Sequence, residues 1–294
     1  MFGKILVASD LSPASEALVD CLGFLKGVGA EEIVLAHVIH LSLKYPYIGD
    51  TEEAMVQLAA PPLEEQRRRL EAAGFRVTTL TPVGVPHVEL DHLADEHEAD
   101  LLVVGSRGES LVEEVLLGSV ANEVIHHARR PVLVVRMAIV EENGRRRCEV
   151  ACRDPFSRLL YPTDFSDTAE RAFAYVERIV SAGSQSVRLL HVQDRARLGT
   201  HLADRLAEFN AIDLARLKRL EERLRAVGDA EVTIDIPYGS PVSLILERAR
   251  SGGDTLIVMG SQGRGFIQEV FLGSVSHNVV RHAPIPVLLI PAAR

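Results

Sequence analysis

Apolar residues along the chain gather in short aliphatic runs, and between the runs they recur at helical spacing. Lys4 to Ala8 is nearly all aliphatic, as in a parallel strand covered on both faces. Ser12 then caps a predicted helix with Pro13 at its first position and apolar residues at Ala17, Leu18, Cys21, Leu22 and Leu25. Glu32 to Val38 reads as a second strand, and a polar helix from about Thr51 to Ala73 should break or reset at Pro61-Pro62. A strand over Phe75 to Thr81, a helix over His87 to Glu98 and a strand over Asp100 to Val104 follow. A helix over Ser119 to Ala128 and a strand over Pro131 to Arg136 close the unit.

The same order returns in the second half. Strands are predicted over Leu159 to Pro162, Ser186 to Val192, Glu231 to Ile236, Thr255 to Met259 and Val287 to Ile290. Helices are predicted over Ser166 to Ala182, Leu202 to Ala226, Pro241 to Ser251 and Ser274 to Ala283. Strands alternating with helices imply a parallel sheet with right-handed crossovers. The expectation is therefore α/β: two doubly wound, five-stranded parallel-sheet domains of strand order 3-2-1-4-5, over 1–137 and 158–294. Residues 138–157 contain Gly144-Arg145-Arg146-Arg147 and Asp154-Pro155 without sustained period, and read as a linker.

Composition narrows the function. A chain of 294 residues, 47% apolar, suffices for two cores, while a net charge of -9 and a pI near 5.7 argue against a nucleic-acid partner, which needs a basic face. No apolar run approaches the ~20 residues of a membrane helix, and no signal-peptide layout precedes the first strand; a soluble, cytoplasmic protein with no membrane partner is expected. Three cysteines, Cys21, Cys148 and Cys152, make no secreted-type disulfide framework and read as reduced thiols.

The candidate chemistry lies in a loop present twice. Gly105-Ser106-Arg107-Gly108, nine residues and Gly118-Ser119 are matched 155 positions later by Gly260-Ser261-Gln262-Gly263, nine residues and Gly273-Ser274. Each copy runs from a strand to the mouth of a helix, where backbone N–H groups converge on an anion. In a doubly wound sheet this loop should meet Asp10 or Asp164 at the end of the first strand and Val38 or Val192 at the end of the second. That set suits a nucleotide: amides and a serine hydroxyl for phosphates, a carboxylate for ribose hydroxyls or an adenine amine, and strand-end backbone for the base edge. A valine at Gly118 or Gly273 would occupy ligand space and oppose any positive φ there.

Along nearly its whole length the chain resembles the universal stress protein family in its tandem form. The resemblance rests on Ser9-Asp10-Leu11-Ser12 and Thr163-Asp164-Phe165-Ser166, on His37-Val38 and His191-Val192, on both glycine loops, and on the closing runs Pro131 to Val135 and Pro286 to Ile290. It implies an adenine nucleotide alpha hydrolase-like fold and the ATP-binding branch. Nucleotide contacts would fall on Asp10, Val38, Gly105, Arg107, Gly108, Gly118, Ser119 and Val120. In the second half they would fall on Asp164, Val192, Gly260, Gly263, Gly273, Ser274 and Val275. Gln262 stands where the first loop has Arg107, which implies weaker phosphate affinity in domain 2, with Arg264 nearby. The expected ligand is ATP, ADP or AMP, Mg²⁺ accompanying the phosphates. The resemblance further implies an intrachain pseudo-dimer in which the last strands of the two halves meet, with a homodimer through other surfaces as a further option.

Blander readings attach to the same residues. Any one glycine could serve a turn alone, and Asp10-Leu11-Ser12 could be only a helix start. The joint recurrence favours nucleotide. Neither a P-loop lysine nor a G-x-G-x-x-G fingerprint is present. Ser119 with His126, and Ser274 with His277, do not form a triad, so no catalytic residue is assigned. His87, His92 and His97 recur every five residues and read as a solvated helix face, with no metal site; His127 and His282 end equivalent helices. The expectation is a binding or regulatory module of the stress response. The alternatives are a slow ATP hydrolase or phosphotransferase in the same pocket, and a dimerisation module with vestigial pockets.

Overall fold

The computed structural model describes residues 2–40, 52–106, 117–142, 145–150, 154–194, 206–263 and 272–293, with backbone alone for 138–142, 145–150 and 206–207. The chain divides into two compact units, Met1–Arg153 and Asp154–Arg294. In the first, β1 (Lys4–Ala8), β2 (Glu32–Ala36), β3 (Arg76–Leu80), β4 (Leu101–Gly105) and β5 (Val132–Val135) alternate with α1 (Pro13–Cys21), α2 (Glu52–Ala72), α3 (Pro86–Glu96) and α4 (Ser119–His127). All pairings are parallel, in the order β3-β2-β1-β4-β5. A hairpin of β6 (Met137–Glu142) and β7 (Arg145–Val150) follows.

The second unit contains β8 (Arg158–Pro162), α5 (Asp167–Ser181), β9 (Ser186–Leu190), β10 (Gln193–Asp194) and α6 (Leu206–Val227). It continues with β11 (Glu231–Asp235), β12 (Tyr238–Gly239), α7 (Pro241–Ser251), β13 (Leu256–Gly260), α8 (Ser274–His282) and β14 (Val287–Ile290). Its main sheet is parallel too, in the order β11-β9-β8-β13-β14. In both units the first and fourth strands are central and nearly all their aliphatic side chains are buried, which is why they read as unbroken apolar runs.

One local expectation is corrected. The helix expected to break at Pro61-Pro62 runs through them as α2, because Ala60, Pro61 and Pro62 face solvent, where water can satisfy the freed carbonyls, while Ala59 and Leu63 hold the buried face. The segment read as linker begins with the β6–β7 hairpin, whose antiparallel ladder satisfies its own backbone without needing a periodic sequence. Among the described residues no helix is long and apolar enough to cross a membrane.

Candidate functional site

Each first strand ends in a turn built to aim a carboxylate. Leu11 and Phe165 take left-handed backbone, at φ 60° and 58°, which branched or bulky residues avoid. Local hydrogen bonds hold them there. Ser9 Oγ accepts from Leu11 N–H at 3.1 Å, Thr163 Oγ1 accepts from Phe165 N–H at 3.0 Å, and one carboxylate oxygen of Asp10 or Asp164 accepts from the N–H of Ser12 (3.1 Å) or Ser166 (3.0 Å). The Ser12 and Ser166 side chains then cap α1 and α5. Asp10 Oδ1 also accepts from the hydroxyls of Ser12 and Ser15. The second domain has Ala169 at the place of Ser15.

The same turn exposes backbone on the neighbouring strand. His37 and Ile39 donate their N–H groups across to Leu80 and Pro82, and His191 and Gln193 donate to Asp235 and Pro237. The intervening Val38 and Val192 face the side from which the first strand has just turned away. Among the described residues nothing bonds their N–H or C=O, leaving a donor and an acceptor at each strand end. The histidines beside them are structural: Nδ1 of His37 and of His191 donates to the carbonyl of Ser9 (3.0 Å) and Thr163 (2.7 Å).

Helices α4 and α8 begin with Gly118 and Gly273, whose own N–H groups close back on the carbonyls of Ser106 (2.9 Å) and Ser261 (2.7 Å). Glycine offers no capping side chain, so the first amides of both helices, at Ser119-Val120 and Ser274-Val275, lack the side-chain cap that α1 and α5 possess. An uncapped helix start carries partial positive charge and open donors. Neither glycine has positive φ; the angles are -66° and -69°, in extended backbone that any residue adopts. The expectation of a special backbone angle is thus corrected.

In domain 2 these parts line one cavity of about 500 Å³, within the range of small-molecule sites. Asp164, Val192, Gly260, Gly263, Gly273, Ser274 and Val275 all contribute to its wall. Two of the glycines have visible reasons. A Cβ at Gly263 would stand 2.5 Å from Asp164 Oδ2, so the loop closes onto the carboxylate only without a side chain. A Cβ at Gly260 would lie 2.8–3.0 Å from Thr168, so this glycine also lets α5 pack on β13. In domain 1, Asp10, Val38, Gly105, Gly118, Ser119 and Val120 occupy the matching places. Arg107 and Gly108, together with Arg264, lie outside the described residues.

Sequence reasoning missed the wall supplied by α6. Phe209, Ile212, Asp213 and Arg216 line the cavity with Gln193. Asp213 Oδ2 accepts from Gln193 Nε2 at 3.2 Å and lies 3.4 Å from His191 Nε2, while Arg216 stands over the Phe165 ring at 5.1 Å. Counting back from Gly228 and Gly74, which follow the two helices, Asp213 and Arg216 match Ala59 and Pro62, so this charged wall belongs to domain 2 alone. Ile212, an apolar residue on this polar helix, is 47% exposed beside the cavity.

A profile of the Universal stress protein family matches residues 1–136 and again 155–291. The chain belongs to the universal stress protein family. It is 27% identical over 299 residues to a universal stress protein of Mycolicibacterium smegmatis, covering 97% of this chain and 96% of that one. Over 155 residues it is 31% identical to Universal stress protein MJ0577 of Methanocaldococcus jannaschii, covering 46% of this chain and 96% of the relative. The crystal structure of a universal stress protein from Archaeoglobus fulgidus superposes with a TM-score of 0.70 at 28% identity, covering 98% of this chain and 95% of that one. The universal stress protein fold, adenine nucleotide alpha hydrolase-like, is therefore present twice.

Proposed function

We propose that this universal stress protein binds adenine nucleotide at one site per domain and acts as a regulatory module of the stress response. The observation that carries the reading is the domain-2 cavity, in which an uncapped helix start, a loop closed on a carboxylate and an unpaired strand-end amide and carbonyl face one space. Phosphates fit the amides of Ser274 and Val275, the ribose or the adenine amine fits Asp164, and the base edge fits the Val192 backbone. Any Mg²⁺ enters with the phosphates.

Among the described residues the domain-2 wall contains no lysine and one imidazole, His191, which is held by Thr163 and Asp213. Binding with little turnover is the expected behaviour. Heat-denatured purified protein should release ATP, ADP or AMP, detected by chromatography, in up to two equivalents per chain. Phosphate release should stay below ~1 per second, the lower end of ordinary enzyme rates. Nucleotide-free protein that does not take up added ATP would overturn the binding reading, and faster phosphate release would replace the module with an enzyme.

A further inference from the structure

We propose a zinc site in domain 1, formed by His87 at the start of α3 and by Glu123 and His127 on the last turns of α4. One ligand atom from each lies within 4.8 Å of those of the other two. Two imidazoles and a carboxylate suit zinc, and three protein ligands leave a fourth position for water. Around a tetrahedral zinc with bonds of about 2.0–2.2 Å, ligand atoms stand roughly 3.4 Å apart, so small side-chain rotations bring the three into place. His87 is half-buried and the other two are exposed, which gives an ion free access.

The surroundings orient the ligands. Nδ1 of His127 donates to the carbonyl of Glu123 at 2.9 Å, which makes Nε2 the ligand atom, the arrangement that commonly supports a metal-bound imidazole. The His87 and His127 rings stack with centroids 4.8 Å apart, and the Glu123 carboxylate accepts from Asn122 Nδ2 at 3.4 Å and lies 3.8 Å from His127 Nδ1. The nearby charges are already matched: Asp91, one turn along α3 from His87, and Asp95 both take ion pairs from Arg129.

The second domain separates a shared habit from an added site. His282 matches His127 and makes the same bond to its own helix, from Nδ1 to the Asn278 carbonyl at 2.8 Å. That contact serves the helix end in both halves. The places of His87 and Glu123 are held by Val242 and Asn278 in domain 2, so only domain 1 has all three ligands. An ion there would tie α3 to α4, the helix whose other end opens at Ser119.

The test uses the full chain, metal-stripped and nucleotide-free, with Cys21→Ser, Cys148→Ser and Cys152→Ser in every variant so that thiolates outside the site cannot contribute. Zn²⁺ titration against a chromogenic chelator should show one zinc per chain at micromolar affinity or tighter, with a rise in melting temperature. His87→Ala and the near-isosteric Glu123→Gln should each weaken binding at least about tenfold, whereas His282→Ala should leave it unchanged. Circular dichroism on the zinc-free variants confirms that they are folded. No zinc uptake by the parent chain, or equal uptake by the His87 and Glu123 variants, would overturn the site and leave the cluster a stacked histidine pair sharing a carboxylate.

Discussion

Gly273→Val should abolish nucleotide binding in domain 2 while the domain stays folded. A Cβ at Gly273 would meet Ser261 O at 3.4 Å, Gln262 Cα at 3.5 Å and Gly263 N at 3.8 Å, all ordinary contacts, and the backbone at φ -69°, ψ 149° suits valine. The added methyl groups fall between the glycine loop and the uncapped start of α8, on the cavity wall where phosphate would approach the Ser274 and Val275 amides. Gly118 has the same extended backbone at the head of α4, so Gly118→Val should empty the first domain, and the double variant both. Calorimetric titration of nucleotide-stripped protein should read two equivalents, then one, one and none, with circular dichroism as the folding control. Gln262 offers a neutral contact where the first loop has Arg107, and charge-assisted bonds are roughly twice as strong, so the Gly118→Val protein should show the weaker of the two affinities. Unchanged stoichiometry in a folded double variant would reduce the repeated motif to a turn.

Arg188→Met should cost domain 2 roughly 3 kcal/mol at pH 7, the low end expected for breaking a buried ion pair. Asp254 is almost fully buried at the foot of β13, and Arg188 donates to it through Nε at 3.1 Å and to the Gly252 carbonyl through Nη2 at 3.2 Å. Burial raises the Asp254 carboxyl above its ordinary value of 3.8, opposed by the Arg188 charge and by the neighbouring Arg158, which remains in the variant and limits the loss. A carboxyl with a raised folded pKa binds protons more readily in the native state, so its contribution to stability falls as pH rises from the unfolded value through the folded one. Without Arg188 the folded carboxyl is raised further, and the loss at neutral pH is larger. The penalty should therefore be full at pH 7 and shrink as acid protonates Asp254. Hydrogen exchange of peptides from β8, β9 and β13 at pH 7 and near pH 4.5 measures this within domain 2. A penalty independent of pH would show that Arg188 acts by packing, and Asp254→Asn in the Arg188→Met background should recover part of the loss.

The sequence by itself determined the two doubly wound domains and the strands of their main parallel sheets, though not β6, β7, β10 or β12, because strands buried on both faces must be aliphatic throughout and helices must carry a periodic apolar stripe. It also determined which residues could meet, since a parallel sheet with right-handed crossovers brings the ends of the first, second and fourth strands together. Only the tertiary structure decided why they do so. Leu11 and Phe165 are ordinary hydrophobic letters in the sequence, yet their left-handed backbone turns the first strand away and leaves the Val38 and Val192 amides and carbonyls open. Gly263 is glycine because Asp164, about a hundred residues earlier, fills the space its side chain would need. The α6 wall and the His87–Glu123–His127 cluster were equally illegible: periodicity along one helix tells which face a residue occupies, but only the packing of a second helix tells what stands opposite it.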